Sequence, residues 1–203
     1  MRVDTQPEFR EFLSTDEAEQ WAKTHYSDLY GEQRKSNPDY ERLFYYGGNC
    51  YKAYNKTLRH GWNCSDETKE EIAQLTDILE RHILPESVIA YRHTHKEDVE
   101  LLCIGERLRP GVRFADKAFF STSLVKSSMD KFRKKHHCDC LLKLYLSKGL
   151  HGVYISLKET PSILNEQELL LQRNTEFEII KIHRFCRPMV IECKAIINPT
   201  LEV

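Results

Sequence analysis

Three short stretches carry residue types that could do chemistry, and they follow one another along the chain. Arg92 ends the apolar run Val88-Ile89-Ala90-Tyr91, and Ser121-Thr122-Ser123 comes directly after the aromatic pair Phe119-Phe120. Glu166-Gln167-Glu168 then leads into Leu169-Leu170-Leu171. A guanidinium is a planar fork that can hold a diphosphate bidentately. A short hydroxyl at a strand end orients a carboxylate by hydrogen bonding, and a carboxylate at a strand start can stabilise a cation that develops in a transition state. Two glutamates spaced i, i+2 share a face when extended, so each can act on a different substrate. Each feature alone is ordinary; the three together share a physical sense.

Other familiar chemistry is missing. The chain has no Gly-rich phosphate loop, no paired-histidine metalloprotease signature and no pair of CxxC units. His136-His137-Cys138-Asp139-Cys140 is the one metal-like cluster. Neighbouring side chains on a strand point to opposite faces, so this reads as a charged loop, Lys131–His137, running into a buried strand. No particular cysteine and histidine are brought together by the sequence.

The elements that must position these residues fall into two groups. Ser14-Thr15-Asp16-Glu17 has the form of a capping box, with Ala18, Trp21, Ala22, His25 and Leu29 following at helical spacing. A polar break at Ser36-Asn37-Pro38-Asp39 precedes a short aromatic helix around Leu43–Tyr45, and Gly47-Gly48 reads as a turn. Tyr51, Tyr54, Asn55 and Leu58 line a third helix. A fourth, starting at Ser65 or Asp66, puts Ile72, Leu75, Ile78 and Leu79 on one face before Pro85 ends it. From there the pattern is of strands: Ser87–His93, Phe119–Ser123, Cys140–Tyr145, His151–Ile155, Glu168–Leu171, Phe177–His183 and Met189–Ile197. Helices followed by strands predict an α+β domain rather than alternating βαβ units. With no linker or repeat in 203 residues, residues 1–203 are expected to form a single domain, mainly helical over 1–85 and mainly strand over 86–203.

Composition narrows the partners. Thirty cationic residues against 31 anionic ones leave a net charge of −1, which argues against a general nucleic-acid or membrane-surface binder. Seven cysteines are an odd number without a disulfide framework. No run approaches a membrane span, and Met1–Leu13 has no apolar core of a Sec-type signal. A reducing, aqueous compartment is expected.

The order arginine, Ser-Thr-Ser, Glu-x-Glu resembles the mono-ADP-ribosyltransferases of the arginine–serine–glutamate class. These include the enzymatic components of clostridial binary actin toxins, the Rho-modifying exoenzymes and related bacterial effectors. Tyr46–Arg59 is similar to the family's tyrosine–asparagine–Leu-Arg helix, and Phe12–Trp21 to its first helix. Asp116–Ser123, Leu146–Tyr154 and Glu166–Ile179 also match family segments, so the resemblance runs over roughly Phe12 to Ile197.

The resemblance implies an ADP-ribosyltransferase fold: two packed mixed or antiparallel sheets, an N-terminal helical subregion, flanking helices and NAD+ in the cleft between the sheets, with no metal. It implies catalytic roles for Arg92 on the NAD phosphates, Ser121 on Glu168, Glu168 beside the oxocarbenium-like ribose and Glu166 at the acceptor. Tyr46, Tyr51, Asn55 and Arg59 match positions that line the nucleotide pocket. Thr122 and Ser123 would support the strand and contact the nicotinamide side, and Phe132 matches an aromatic over nicotinamide. A first glutamate goes with arginine acceptors in the family, a glutamine with asparagine. Target recognition is where the chain departs: Ile163 stands where an aromatic is usual, Ala118 where a glycine or asparagine turn is common, and Lys131, Arg133, Lys134 and Lys135 make a basic loop. The implied function is transfer of ADP-ribose from NAD+ to a protein arginine by a bacterial toxin or effector. Actin is the first guess as target and a small GTPase the next. The enzyme would be a monomer with no nucleic-acid or membrane partner, acting in host cytoplasm after secretion or injection. Two other readings stand beside it: an NAD glycohydrolase with water as acceptor, and a catalytically silent module using the Ile163–Asn165 surface.

Overall fold

Ser14 accepts a hydrogen bond from the Glu17 N–H (3.2 Å) and so caps helix α1 (Thr15–His25), which buries Ala18, Trp21 and Ala22. The computed structural model describes residues 8–30, 34–155 and 166–197, so Ile163 and the Ile163–Asn165 surface lie outside the described residues. Helix α1 stops earlier than the spacing predicts: Tyr26 closes it, and Leu29 is buried from a separate turn, α2 (Ser27–Tyr30). Asn37 caps α3 (Pro38–Tyr45) with proline at the first helical position, where its missing N–H costs nothing.

The expected Gly47-Gly48 turn is instead a π-helical turn, Tyr46–Cys50, that carries α3 straight into α4 (Tyr51–His60). Gly61, left-handed at φ 64°, ends α4, and Ser65 caps α5 (Asp66–Arg81), whose buried face is Ile72, Leu75, Ile78 and Leu79.

The second half holds β1 (Val88–Thr94), α6 (Lys96–Leu102), β2 (Arg113–Ala115), β3 (Phe120–Ser123), α7 (Asp130–His136), β4 (Cys140–Leu146), β5 (Gly152–Ile155), β6 (Glu168–Leu171), β7 (Glu176–His183) and β8 (Met189–Ile196). Seven of the eight strands match the sequence reading to within a residue at each end. Helix α7 replaces the expected charged loop. Its C-terminal turn gathers Arg133, Lys134, Lys135 and His136, where cations complement the helix dipole.

The strands run in the order β2-β7-β8-β4-β1-β3-β6-β5, antiparallel except for β4 with β8. The two sheets of the expected fold are two halves of this array, joined by one residue pair, Tyr91 with Ser123. That join brings the strand ends bearing Arg92, Ser121 and Glu168 to one place. The main core lies between the helices and one sheet face. Ile89, Tyr91 and Leu141 form a smaller cluster on the other face with Phe9 and Tyr145. This α+β architecture is the predicted class.

Candidate functional site

Strand β3 sits between β1 and β6, and its three polar residues are bonded to three different things. The Ser121 carbonyl accepts from the Arg92 guanidinium (2.6 Å), while the Ser121 hydroxyl favours the charged form of the Glu168 carboxyl. Thr122 donates its hydroxyl proton to the Leu169 carbonyl (2.8 Å), and Ser123 donates its own to the Glu166 carbonyl (2.5 Å). Both Thr122 and Ser123 are buried, so their hydroxyls tie β3 to the main chain around β6. Ser121 alone of the three bears on both a cation and a carboxyl.

The Arg92 guanidinium also lies over the Phe120 ring, 4.7 Å from its centroid. Burial, with the charge of Arg59, holds it below the ordinary guanidinium value, and Asp116, Tyr46 and Glu168 offset this. Arg59, from the last turn of α4, makes a bidentate pair with Asp116 at 2.6 to 3.1 Å. Asp116 is buried and also accepts from the Ala118 N–H (2.9 Å), which fixes the chain just before β3. The sequence reading missed Asp116 as a site residue, because its partner lies 57 positions away and no local pattern joins them.

Glu168 is flanked on both sides, by Ser123 of β3 and Ile155 of β5. Burial pushes its carboxyl up, while the Ser121 hydroxyl and the Arg92 charge pull it back. Burial and the charge of Glu168 together push Glu166 up to about 7. The negative charge of Glu168 thus makes the ionisation of Glu166 harder.

Tyr46 and Asn55 stand behind this group. Both are buried, and the Asn55 amide donates to the Tyr46 hydroxyl (3.1 Å). The Tyr46 ring packs edge-on to Phe119 at 5.7 Å, and burial, with the Glu168 charge, raises its hydroxyl. Tyr51 is exposed, with its ring 6.4 Å from that of Tyr46. Phe132 lies on α7 with its ring 4.4 Å from that of His136.

A cavity of about 610 Å³ opens in front of Arg92 and Phe120, with Arg59 and Asp116 beside them. Helix α6 forms its other wall through Asp98, Val99, Leu101 and Leu102. That volume is in the range of small-molecule and cofactor sites. Among the described residues no group of three or more His, Cys, Asp or Glu is placed to hold a metal ion.

Residues 18–189 match the family model described as ADP-ribosyltransferase exoenzyme. No curated protein is a significant match, but solved structures are. Plx2a, an ADP-ribosyltransferase toxin from Paenibacillus larvae, is 21% identical with a TM-score of 0.71, over 94% of this chain and 100% of that one. C3stau2 from S. aureus, solved with NAD, is 22% identical with a TM-score of 0.73, over 94% and 100%. The enzymatic component C2-I of the C2-toxin from Clostridium botulinum is 24% identical with a TM-score of 0.69, over 92% of this chain and 50% of that one. These likenesses are likenesses of fold, and the family match spans most of the sequence: the chain belongs to the ADP-ribosyltransferase exoenzyme family.

Proposed function

We propose that the chain cleaves NAD+ between nicotinamide and ribose and transfers the ADP-ribose to an arginine side chain of a host protein. The observation that carries this reading is Ser121, whose carbonyl binds the Arg92 guanidinium and whose hydroxyl favours the charged form of Glu168. A diphosphate held at Arg92 thereby has its attached ribose beside Glu168. Arg59 is already matched by Asp116, whereas Arg92 is bonded to a carbonyl, so an anionic ligand compensates its charge. C3stau2 with NAD and BECa, from a binary enterotoxin of C. perfringens, with NADH are structural neighbours that support the choice of dinucleotide.

In this reading the glycosidic C–N bond breaks with its electron pair going to nicotinamide. The ribose C1′ becomes oxocarbenium-like next to the Glu168 carboxylate. An arginine nitrogen of the acceptor then bonds to C1′, and the proton it sheds passes to Glu166. A carboxyl near 7 suits that task, because a base works best when its pKa lies close to the working pH. Thr122 and Ser123 serve by locking β3 to β6 rather than by touching nicotinamide. Tyr46 and Asn55 are assigned to the back of the nucleotide site, Tyr51 to its rim, and Phe132 and Ile163 to the nicotinamide cover and the acceptor side.

Residues 1–203 would form one catalytic domain. The seven free cysteines suit a reducing cytosol, which is where actin and small GTPases, the first acceptors to test, are found. The experiment is incubation with NAD+ and a eukaryotic lysate, followed by mass spectrometry of the modified proteins. Wild type is expected to modify arginine, and Glu166→Gln to lose about 10² or more of that transfer while still hydrolysing NAD+. Modification of asparagine, or undiminished transfer by Glu166→Gln, would overturn the arginine reading. Water as the only acceptor would make the enzyme a glycohydrolase.

A further inference from the structure

Gln167, between the two glutamates, has a left-handed backbone, φ 50°, which is uncommon for any residue but glycine. Its side chain is only 1% exposed, and its amide oxygen accepts a hydrogen bond from the Tyr154 hydroxyl. Tyr154 is equally buried, on β5 opposite Leu169, so the bond crosses from the middle of β5 to the residue preceding β6. A polar pair of this kind is directional in a way that an apolar contact is not, and leaving either partner unmatched in the core is costly.

Two bonds to main-chain carbonyls fix the same turn. The Leu124 N–H donates to the Gln167 carbonyl (3.0 Å), and the Ser123 hydroxyl donates to the Glu166 carbonyl (2.5 Å). Glu168 has supports of its own: it lies in the ladder between β3 and β5, and the Ser121 hydroxyl favours its charged form. Glu166 lies outside the ladder and is joined to it through the left-handed Gln167.

We propose that Gln167, held by the buried hydroxyl of Tyr154, is a positioning residue that aims Glu166 at the acceptor while leaving Glu168 undisturbed. The proposal rests on the reading of Glu166 as the acceptor's base. It separates the two halves of the reaction: Ser121 and Arg92 set the glutamate that serves NAD+ cleavage, and Tyr154 with Gln167 sets the one that serves transfer.

The test uses Gln167→Ala and Tyr154→Phe, which remove the same bond from opposite ends, and the double variant. Nicotinamide release into water and ADP-ribose transfer to protein are measured side by side across pH. A misaimed group can cost about 10²-fold without touching the substrate, so transfer is expected to fall by about 10-fold or more in each single variant. Nicotinamide release into water is expected to change by less than about 3-fold on the same argument. The double variant is expected to show the same separation of the two rates. The acid limb of the transfer profile, near 7 in wild type, is expected to move down toward the ordinary carboxylate range as Glu166 reaches water. A purely structural role would not move that limb. Loss of both reactions together in variants with a normal thermal midpoint, or loss of neither, overturns the proposal. If Tyr154→Phe folds poorly, Gln167→Ala decides alone, and its failure to separate the two rates is equally fatal. A wild type that releases no nicotinamide from NAD+ sinks the reading of the site itself; an active wild type whose variants lose both rates sinks the positioning alone.

Discussion

Glu166 and Glu168 are two positions apart and under different constraints. Glu168 lies in a ladder, with the Ser121 hydroxyl favouring its charged form, whereas Glu166 is pushed up to about 7 by burial and by its neighbour's charge. This has a consequence for stability. A carboxyl that holds its proton longer folded than unfolded favours the folded state at low pH, and that contribution is lost as pH rises through the folded value. The window for Glu166 runs from its ordinary 4.5 up to about 7. Glu166→Gln should therefore match wild type in thermal midpoint below that window and exceed it above pH 7, as read by scanning calorimetry. A gap that is constant with pH would show that Glu166 is not held in this way. The residues proposed as catalytic could be picked out from their types and order. Their supports could not: Asp116 pairs with Arg59 across 57 positions, and the left-handed conformation of Gln167 leaves no mark in a sequence that places no glycine there.

At the scale of elements, long amphipathic segments and capped ends were readable and short charged ones were not. Helix α5 announces itself by Ser65 and an apolar face of four residues. Helix α6, which walls the cavity, begins at His95, an unusual cap, where Asp98 accepts from the His95 N–H (3.3 Å) and the Thr94 hydroxyl (3.1 Å). Strand β2 has three residues and exists through pairing with β7 alone, a contact no local pattern encodes. The β5–β6 pair that carries Glu168 makes its own demand. A Cβ at Gly152 would stand 2.9 Å from the Leu171 side chain and 3.0 Å from the Leu170 carbonyl oxygen. Gly152→Ala should therefore force β5 away from β6 and destabilise the fold by about 1–3 kcal/mol, the usual cost of overpacking. Denaturant unfolding measures this directly, and an unchanged midpoint would mean that the strands separate freely.

For the whole molecule, a net charge of −1 excludes broad polyanion binding but not local binding of a diphosphate. Two guanidiniums, Arg59 and Arg92, line one cavity, and their charge is set against Asp116 and Glu168. The chain spans all of Plx2a and C3stau2 but half of C2-I. What joins the parts is a single residue pair between the two halves of the sheet, which lets β1, β3 and β6 bring Arg92, Ser121 and Glu168 together from three distant segments. This constellation is proposed to cleave NAD+. The most direct measurement is the rate of nicotinamide release from NAD+ by wild type and by Glu168→Gln, both shown to be folded. Wild type is expected to release nicotinamide and the variant to be slower by about 10²–10³-fold, the usual cost of removing one preorganised charge-stabilising group. Equal rates in the two proteins would contradict the account.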